Sequence, residues 1–431
     1  MISQKSVALI GASKHKGKVG NAIAKNLLKF KSSFFVNPNE QDIFGKKCYP
    51  SILDIKNEID MAVIAVKPEV VPHILEECGK KKVKTAIIIT AGFSESGESG
   101  KKAEQNLIDI AKKYNIKILG PNCFGIINPY AGLNATFASI PVRKGDVAFI
   151  SQSGALCSAV LDIASQENLG FSFFASVGNM SDINFTDLIE MLDKDENTKA
   201  IILYIEALKP ESGKKFIEAT KICGKPIVVL KAGISKAGAK TALTHTGSLA
   251  SDYEIYKVAF QEAGILEAKS LTNALDKALF FSKNEIKGEG ILIISNAGGP
   301  AVLAADYCEE LNVKLAEMPK NVVEDLNKVL PPMWNKSNPI DIVGDADAER
   351  YNLALNQLNF NYGCLVCILT PQEMSQPMET AKILLDFKKK SKKPVIAAFM
   401  GGERISNAAK FLNENGILCF PELRRVIKVL S

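Results

Sequence analysis

Residues 149–164, "FISQSGALCSAVLDIA", decide how this chain is read. An apolar run ends in a serine, a polar residue and Ser153–Gly154, after which apolar residues recur at helical spacing. That pattern is a strand, a tight turn and a helix. Residues 293–308, "IISNAGGPAVLAADYC", repeat the plan, with Gly298 and Gly299 at the turn. Two domains of one design are implied. Each turn brings backbone N–H groups and the positive end of a helix dipole together, which suits a phosphate. Small residues at such a turn equally permit close packing of helix on strand.

Outward from these segments, short Val/Ile-rich runs bounded by Gly, Pro or Asn alternate with longer amphipathic stretches. The alternation predicts an α/β fold of parallel sheets with helices on both faces. "SVALIG", "SFFVNP", "MAVIAV", "TAIIIT" and "IKILGP" supply five strands in the first 125 residues, one Rossmann-like unit. A second series runs from "DVAFISQSGA" through "GFSFFASVG", "AIILYIEAL" and "PIVVLKAG". A third runs from "GILIISNAGGP" through "GCLVCILTP", "PVIAAFMGG" and "GILCFPE". The irregular stretch at about 128–145 and the charged segment 282–290 are the expected boundaries. Three domains follow, over 1–130, 141–285 and 288–431; a length of 431 residues agrees with roughly 150 per domain.

With 47% hydrophobic and 23% charged residues the chain has the balance of an ordinary globular protein. A net charge of +6, from 53 basic and 47 acidic residues without a concentrated basic block, points away from nucleic acid. No apolar run reaches the roughly 18 residues that span a bilayer. The nine cysteines are scattered through apolar runs and "MISQKSVALIGAS" is not a signal peptide, so reduced thiols in a cytoplasm are expected. "CLVC" at 364–367 has the letters of a redox or metal motif but lies in a strand-like run, where core packing is the expectation.

Two constellations carry chemistry. The first is "VALIGASKHKGKVGNAIAKNLL", a strand, a turn with Gly11, Gly17 and Gly20, and a helix. It is no strict dinucleotide fingerprint, and "VNPNE" further on offers no acid at a strand end for a ribose, which disfavours NAD. Lys14, Lys16 and Lys18 crowd the turn, suiting a ligand with several phosphates or forming a solvated charge run. The second is "TALTHTGSLA", residues 241–250, where His245 stands among small hydroxyl and glycine residues. With no Cys, Asp or His nearby, metal binding is not expected. As a nucleophile His245 needs an orienting carboxylate, and Glu206 leaves the C-terminal end of "AIILYIE", where doubly wound sheets deliver functional residues. The plain alternative is a histidine that caps a helix and a glutamate that pairs with a surface lysine. If His245 accepts a phosphoryl group, the two helix starts supply donors for its charge.

The ordered set "VALIGAS…GKVG", "VNPNE", "MAVIAV", "AGFSE", "ILGPNCFGIINP", "FISQSGAL", "GNM", "YIEAL", "VVLKAG", "THTGSLA" and "SNAGGPAVLAAD" resembles the alpha subunit of the NDP-forming acyl-CoA synthetases. These are the ADP-forming acetyl-CoA synthetases of the succinyl-CoA synthetase superfamily. The resemblance implies a CoA-binding Rossmann-like domain followed by two flavodoxin-like, succinyl-CoA ligase-like domains. It implies conversion of acyl-CoA, phosphate and ADP to a free acid, CoA and ATP through an acyl phosphate and a phosphohistidine. Carried over by position, His245 would be phosphorylated and Glu206 would stabilise it. Ser153, Gly154, Gly298 and Gly299 would mark the phosphate-binding helix starts. Gly11, Ala12, Ser13, Lys18, Val19, Asn37, Pro38, Asn122 and Cys123 would lie along CoA. No ATP-grasp region is present up to Ser431, so a separate ATP-grasp beta subunit carrying the Mg-nucleotide is expected, in a hetero-oligomer with alpha–alpha contacts. A CoA- or acyl-CoA-binding regulatory protein of the same fold is the alternative.

Overall fold

This computed structural model describes residues 5–209, 211–246 and 253–431, with 242–246 described by backbone alone. The chain divides into two compact units, Met1–Ser282 and Lys283–Ser431. Among the described residues the first unit carries two seven-stranded sheets and the second a five-stranded one.

The first sheet runs Asp42–Ile43, Lys46–Tyr49, Ser33–Val36, Val7–Ile10, Met61–Ile64, Thr85–Ile88, Lys117–Leu119. All pairings are parallel except the short edge hairpin Asp42–Ile43 with Lys46–Tyr49. Its central strands, "VALI" and "MAVI", are buried at every residue, as strands covered on both faces must be. The five strands expected here are all present.

The second sheet runs Leu266–Ala268, Ile227–Lys231, Ala200–Ile205, Arg143–Ser151, Gly170–Ser176, Gly125–Asn128, Leu133–Thr136. Its first five strands are parallel, and its last two form an antiparallel hairpin. That hairpin falls where the sequence suggested an irregular boundary. Its run "GIIN" has only two apolar residues where "VALI" and "MAVI" are apolar throughout, and Gly125 (φ +105°) faces the Ala135 carbonyl too closely for any side chain. The hairpin ties the two sheets together. Asn26, on the helix Val19–Leu27, donates to the carbonyls of Thr136 and Ala138, both at 2.8 Å. One apolar cluster continues from Val7, Leu9 and Ile23 to Leu133, Ile150 and Phe173.

The helix Val19–Leu27 can approach the first sheet only because its contact points lack side chains. A Cβ on Gly20 would stand 1.9 Å from the Gly11 carbonyl oxygen, and one on Gly11 would stand 2.2 Å from that of Ala65. Gly11 also has a φ of +89°.

In the second unit the parallel order is Ile340–Asp341, Ile291–Ser295, Cys364–Leu369, Val395–Phe399, Cys419–Phe420. Cys364 and Cys367 are fully buried in the central strand, where burial pushes both thiols far up. They act as small core hydrophobes.

The contact geometry separates two kinds of glycine. Gly20→Ala should cost at least about 2 kcal/mol, because two backbone segments must move apart. Gly17, at φ +83° with nothing near its missing Cβ, should cost only about 1 kcal/mol on replacement by Ala, the strain of a left-handed backbone. Thermal or urea unfolding of the two variants should rank them in that order.

Candidate functional site

Three neighbouring cavities lie in the first unit, each sharing lining residues with the next. The first, about 770 Å³, is lined by Gly11, Ser13, Lys18, Asn37 and Pro38, together with His15, Glu40, His73 and Glu77. The second, about 670 Å³, is lined by Val19, Asn122, Cys123, Ser153 and Gly154, with Phe124 and Phe137 in its wall. Ala65 and Val66 border both. The third, about 240 Å³, shares Asn122 and Gln152 with the second and adds Asn179, Glu95, Glu104, Glu206 and Lys209. Most of the sequence-derived residues therefore divide among these three cavities. Ala12 lines none of the three: it is fully buried, and its carbonyl accepts from Asn37 Nδ2 at 2.7 Å; Gly298 and Gly299 lie in the second unit, and the side chain of His245 lies outside the described residues.

At the first cavity the turn is held by its own polar groups. Ser13 Oγ accepts from the His15 amide at 3.1 Å, and the Ser13 carbonyl accepts from Asn21 Nδ2 at 3.0 Å. Of the three lysines singled out in the turn, Lys18 lines the cavity, while Lys14 pairs with Glu40 at 2.8 Å. The hydrogen bond and charge of Glu40 push the Lys14 pKa up. Sequence reasoning passed over Glu40 because it follows the strand Ser33–Val36 by a loop instead of ending it. The glutamate nonetheless borders the cavity, with His15 Nε2 at 3.7 Å.

At the second cavity Cys123 is 4% exposed and its thiol donates to the Ile88 carbonyl at 3.3 Å. Burial pushes its pKa up to about 12. Asn122 takes a left-handed φ of +58°, which asparagine tolerates, and its amide donates to the Thr90 carbonyl at 2.9 Å. The helix Gly154–Gln166 opens here. Ser151 Oγ accepts from the Ser153 amide and donates to the Ser153 carbonyl, both at 2.9 Å, and Ser153 Oγ caps the Leu156 amide at 3.3 Å. Gly154 and Ala155, in the first turn, line the cavity.

Glu206 follows the strand Ala200–Ile205, as the sequence reading required, and is 9% exposed. Burial, with the charge and hydrogen bonding of Glu206, pushes the Tyr204 hydroxyl up to about 12. His245 is the penultimate residue of the helix Lys236–Thr246. Its side chain and residues 247–252 lie outside the described residues, and so does the expected pairing of His245 with Glu206.

The second unit repeats the turn in its own strand end. Ser295 Oγ accepts from the Ala297 amide at 3.1 Å and donates to the Ala297 carbonyl at 2.9 Å, before the helix Gly298–Glu310. Gly299 faces open space, whereas a Cβ on Gly298 would stand 2.9 Å from Asp341 Oδ2. A carboxylate of the chain already stands at this helix start. Among the described residues no cluster of three His, Cys, Asp or Glu is arranged to hold a metal, and no helix is long and apolar enough to cross a membrane.

Residues 5–129 match the CoA binding domain family, 144–281 the succinyl-CoA ligase like flavodoxin domain, and 291–430 the Ligase-CoA domain. The alpha subunit of acetate–CoA ligase (ADP-forming) II of Pyrococcus furiosus is 41% identical, with 96% of this chain and 92% of that protein covered. The chain belongs to the ADP-forming acetate–CoA ligase family, as an alpha-subunit-type member. The acetate–CoA ligase (ADP-forming) of Methanocaldococcus jannaschii is 48% identical over 99% of the chain, which spans 61% of that protein's length. Among solved structures, the dinucleotide forming acetyl-coenzyme A synthetase 1 of Ca. Korarchaeum cryptofilum, in complex with phosphate and ADP, superposes with a TM-score of 0.91 at 37% identity. It covers 99% of this chain and 94% of its own.

One further feature of this family member escaped sequence reasoning. Asn179, in the "GNM" turn, donates to Glu95 at 2.6 Å and to Glu104 at 2.9 Å, bridging the second sheet to the first. Burial pushes the Glu95 carboxyl up, but hydrogen bonds from Asn179 and the Gly92 and Phe93 amides outweigh it and hold the group below its usual value. The stability Glu95 contributes is complete above the ordinary carboxylate value, about 4.3, and is lost as pH falls through its lower native pKa. Asn179→Ala should therefore cost about 1–3 kcal/mol at neutral pH and move the acid-unfolding midpoint upward, as followed by circular dichroism.

Proposed function

We propose that this chain is the alpha subunit of an ADP-forming acyl-CoA synthetase, interconverting acyl-CoA, phosphate and ADP with a carboxylic acid, CoA and ATP. The observation that carries the reading is the row of adjoining cavities: a glycine-turn cavity, an apolar cavity at a helix start, and a third cavity bordered by Glu206. A molecule as long as CoA needs such a run. Its phosphate-bearing end would lie along Gly11, Ser13, Lys18, Asn37 and Pro38. Its thioester would reach Val19, Asn122 and Cys123.

In the forward chemistry a phosphate oxygen adds to the acyl carbonyl carbon. The C–S bond breaks and CoA leaves as thiolate, taking up a proton. The first-turn amides at Ser153–Gly154 would stabilise the charge that develops without having to reorganise. A ring nitrogen of His245 then attacks the phosphorus of the acyl phosphate, and the P–O bond to the acyl group breaks with its electrons on the departing carboxylate. Glu206 would hold the other ring nitrogen in the tautomer that leaves the nucleophile free. Gly298 and Gly299 are the second phosphate-side helix start in this reading. The phosphoryl group would pass to ADP, with its Mg²⁺, on an ATP-grasp beta subunit. "Subunit alpha" in the Pyrococcus furiosus name supports a separate partner, and "acetate" in both curated names supports acetate or another short-chain acid. Nine free cysteines support a reducing, cytoplasmic compartment.

The test is phosphoenzyme formation from acetyl-CoA or propionyl-CoA and labelled phosphate, with mass spectrometry locating an acid-labile, base-stable adduct. Label should sit on His245, vanish in His245→Ala and form at least about 100-fold more slowly in Glu206→Gln. Undiminished labelling of His245→Ala, or no label on the native chain even with a matched ATP-grasp partner, would sink the reading.

A further inference from the structure

The strand Ala200–Ile205 gives its last ladder bond to its neighbour at the Ile205 carbonyl, which accepts from the Ala232 amide at 2.9 Å. Beyond it, backbone groups at a sheet end ordinarily turn to water. Residues 206–208 do not. Gln152 Oε1 accepts from the amides of Glu206 at 2.5 Å and Ala207 at 3.1 Å, and Gln152 Nε2 donates to the Ala207 carbonyl at 2.8 Å. The Tyr256 hydroxyl accepts from the Leu208 amide at 3.0 Å. Lys231 Nζ donates to the Glu206 carbonyl at 2.8 Å and to the Ala232 carbonyl, and lies 4.6 Å from the centre of the Tyr256 ring.

Every amide from 206 to 208, and the carbonyls of 206 and 207, are thus held by side chains from three separate elements. Lys231 is the member whose presence most needs a reason. It is 7% exposed, and a buried ammonium carries a large desolvation cost unless something is gained. A shorter neutral donor could satisfy one carbonyl; the cation adds a field beside Glu206 and an aromatic face to rest on. We infer that Gln152, Lys231 and Tyr256 form a clamp that fixes the Glu206 carboxylate in place, with Lys231 as its charged positioning residue. The inference rests on the proposed role of Glu206.

Lys231 also gives the clamp a pH dependence. Burial brings its pKa down to about 8, against the attraction of Glu206 just past the end of the neighbouring strand; from the helix Tyr253–Glu262 the group facing it is Tyr256. Above that value the amine keeps donors but loses its charge.

Amide hydrogen exchange on the full chain reads the clamp directly. In Lys231→Met, protection at residues 206–208 should fall at least tenfold while that at 201–203 stays as it was; equal protection at 206–208 overturns the inference. In the native chain, protection at 206–208, corrected for the intrinsic rate, should fall between pH 7 and pH 9, and Lys231→Arg should remove that fall. If Lys231→Met does not fold, Tyr256→Phe decides in its place by removing the acceptor of the Leu208 amide: unchanged protection at residue 208 overturns the clamp. For the positioning role, Lys231→Met should slow phosphoenzyme formation at least tenfold with an unchanged KM for acyl-CoA, and an unchanged rate would overturn it. A native chain that forms no phosphohistidine but shows the exchange pattern would defeat the proposed function and leave the clamp standing.

Discussion

A parallel strand runs out of ladder partners at its C-terminal end, and the peptide groups there must find other company or face water. Much of this molecule's polar chemistry answers that constraint. Ser151 and Ser295 each fold a hydroxyl back onto the turn that follows them. Gln152 reaches across to the end of the adjacent strand, and Asn296, at the equivalent position of the second unit, holds both the amide and the carbonyl of Thr370, each at 2.9 Å. The longer side chain spans two residues of its neighbour; the shorter one centres on a single residue and calls in Gln372 and Ser375. The same sites that satisfy the backbone therefore decide where Glu206 and the helix starts stand.

The second determinant is apolar. One core running through both sheets of the first unit makes their adjoining loops a rigid wall. The loop at Gly120–Cys123 and the turn at Val177–Ser181 are joined by Asn179 and Ser181, whose amides donate to the Pro121 and Gly120 carbonyls at 3.0 and 3.1 Å. Cavities bordered by both sheets can keep a fixed shape under these restraints. A site built on a hinge could not hold two groups within reacting distance of each other.

The central strands and the paired strand–turn–helix segments were legible in the sequence because fully buried parallel strands are continuous apolar runs. The hairpin at 125–136 was hidden, since its strands, "GIIN" and "LNAT", each carry only two apolar residues amid turn-forming ones. Among site residues, Glu206 was legible as the acid following a strand. Glu40, Asn179 and Lys231 were not: an acid in a loop, an asparagine bridging two sheets and a lysine that reads as the polar end of "VVLK" carry no local signal. Their significance comes from partners between 25 and 84 residues away. Local patterns report periodicity, and these contacts have none.

Cys123 has a consequence for chemical housekeeping. In the proposed reading a thioester lies against this cavity, where a free thiol would be a rival acyl acceptor and transthioesterification would leave the protein acylated and blocked. Only the thiolate competes, and burial, which pushes the Cys123 pKa up to about 12, keeps the thiol protonated at neutral pH. Eight of the nine cysteines are buried. The fold thus insulates its own sulfur from its cargo, keeping a small polarizable side chain for packing while denying it the reactivity that would make it a competitor.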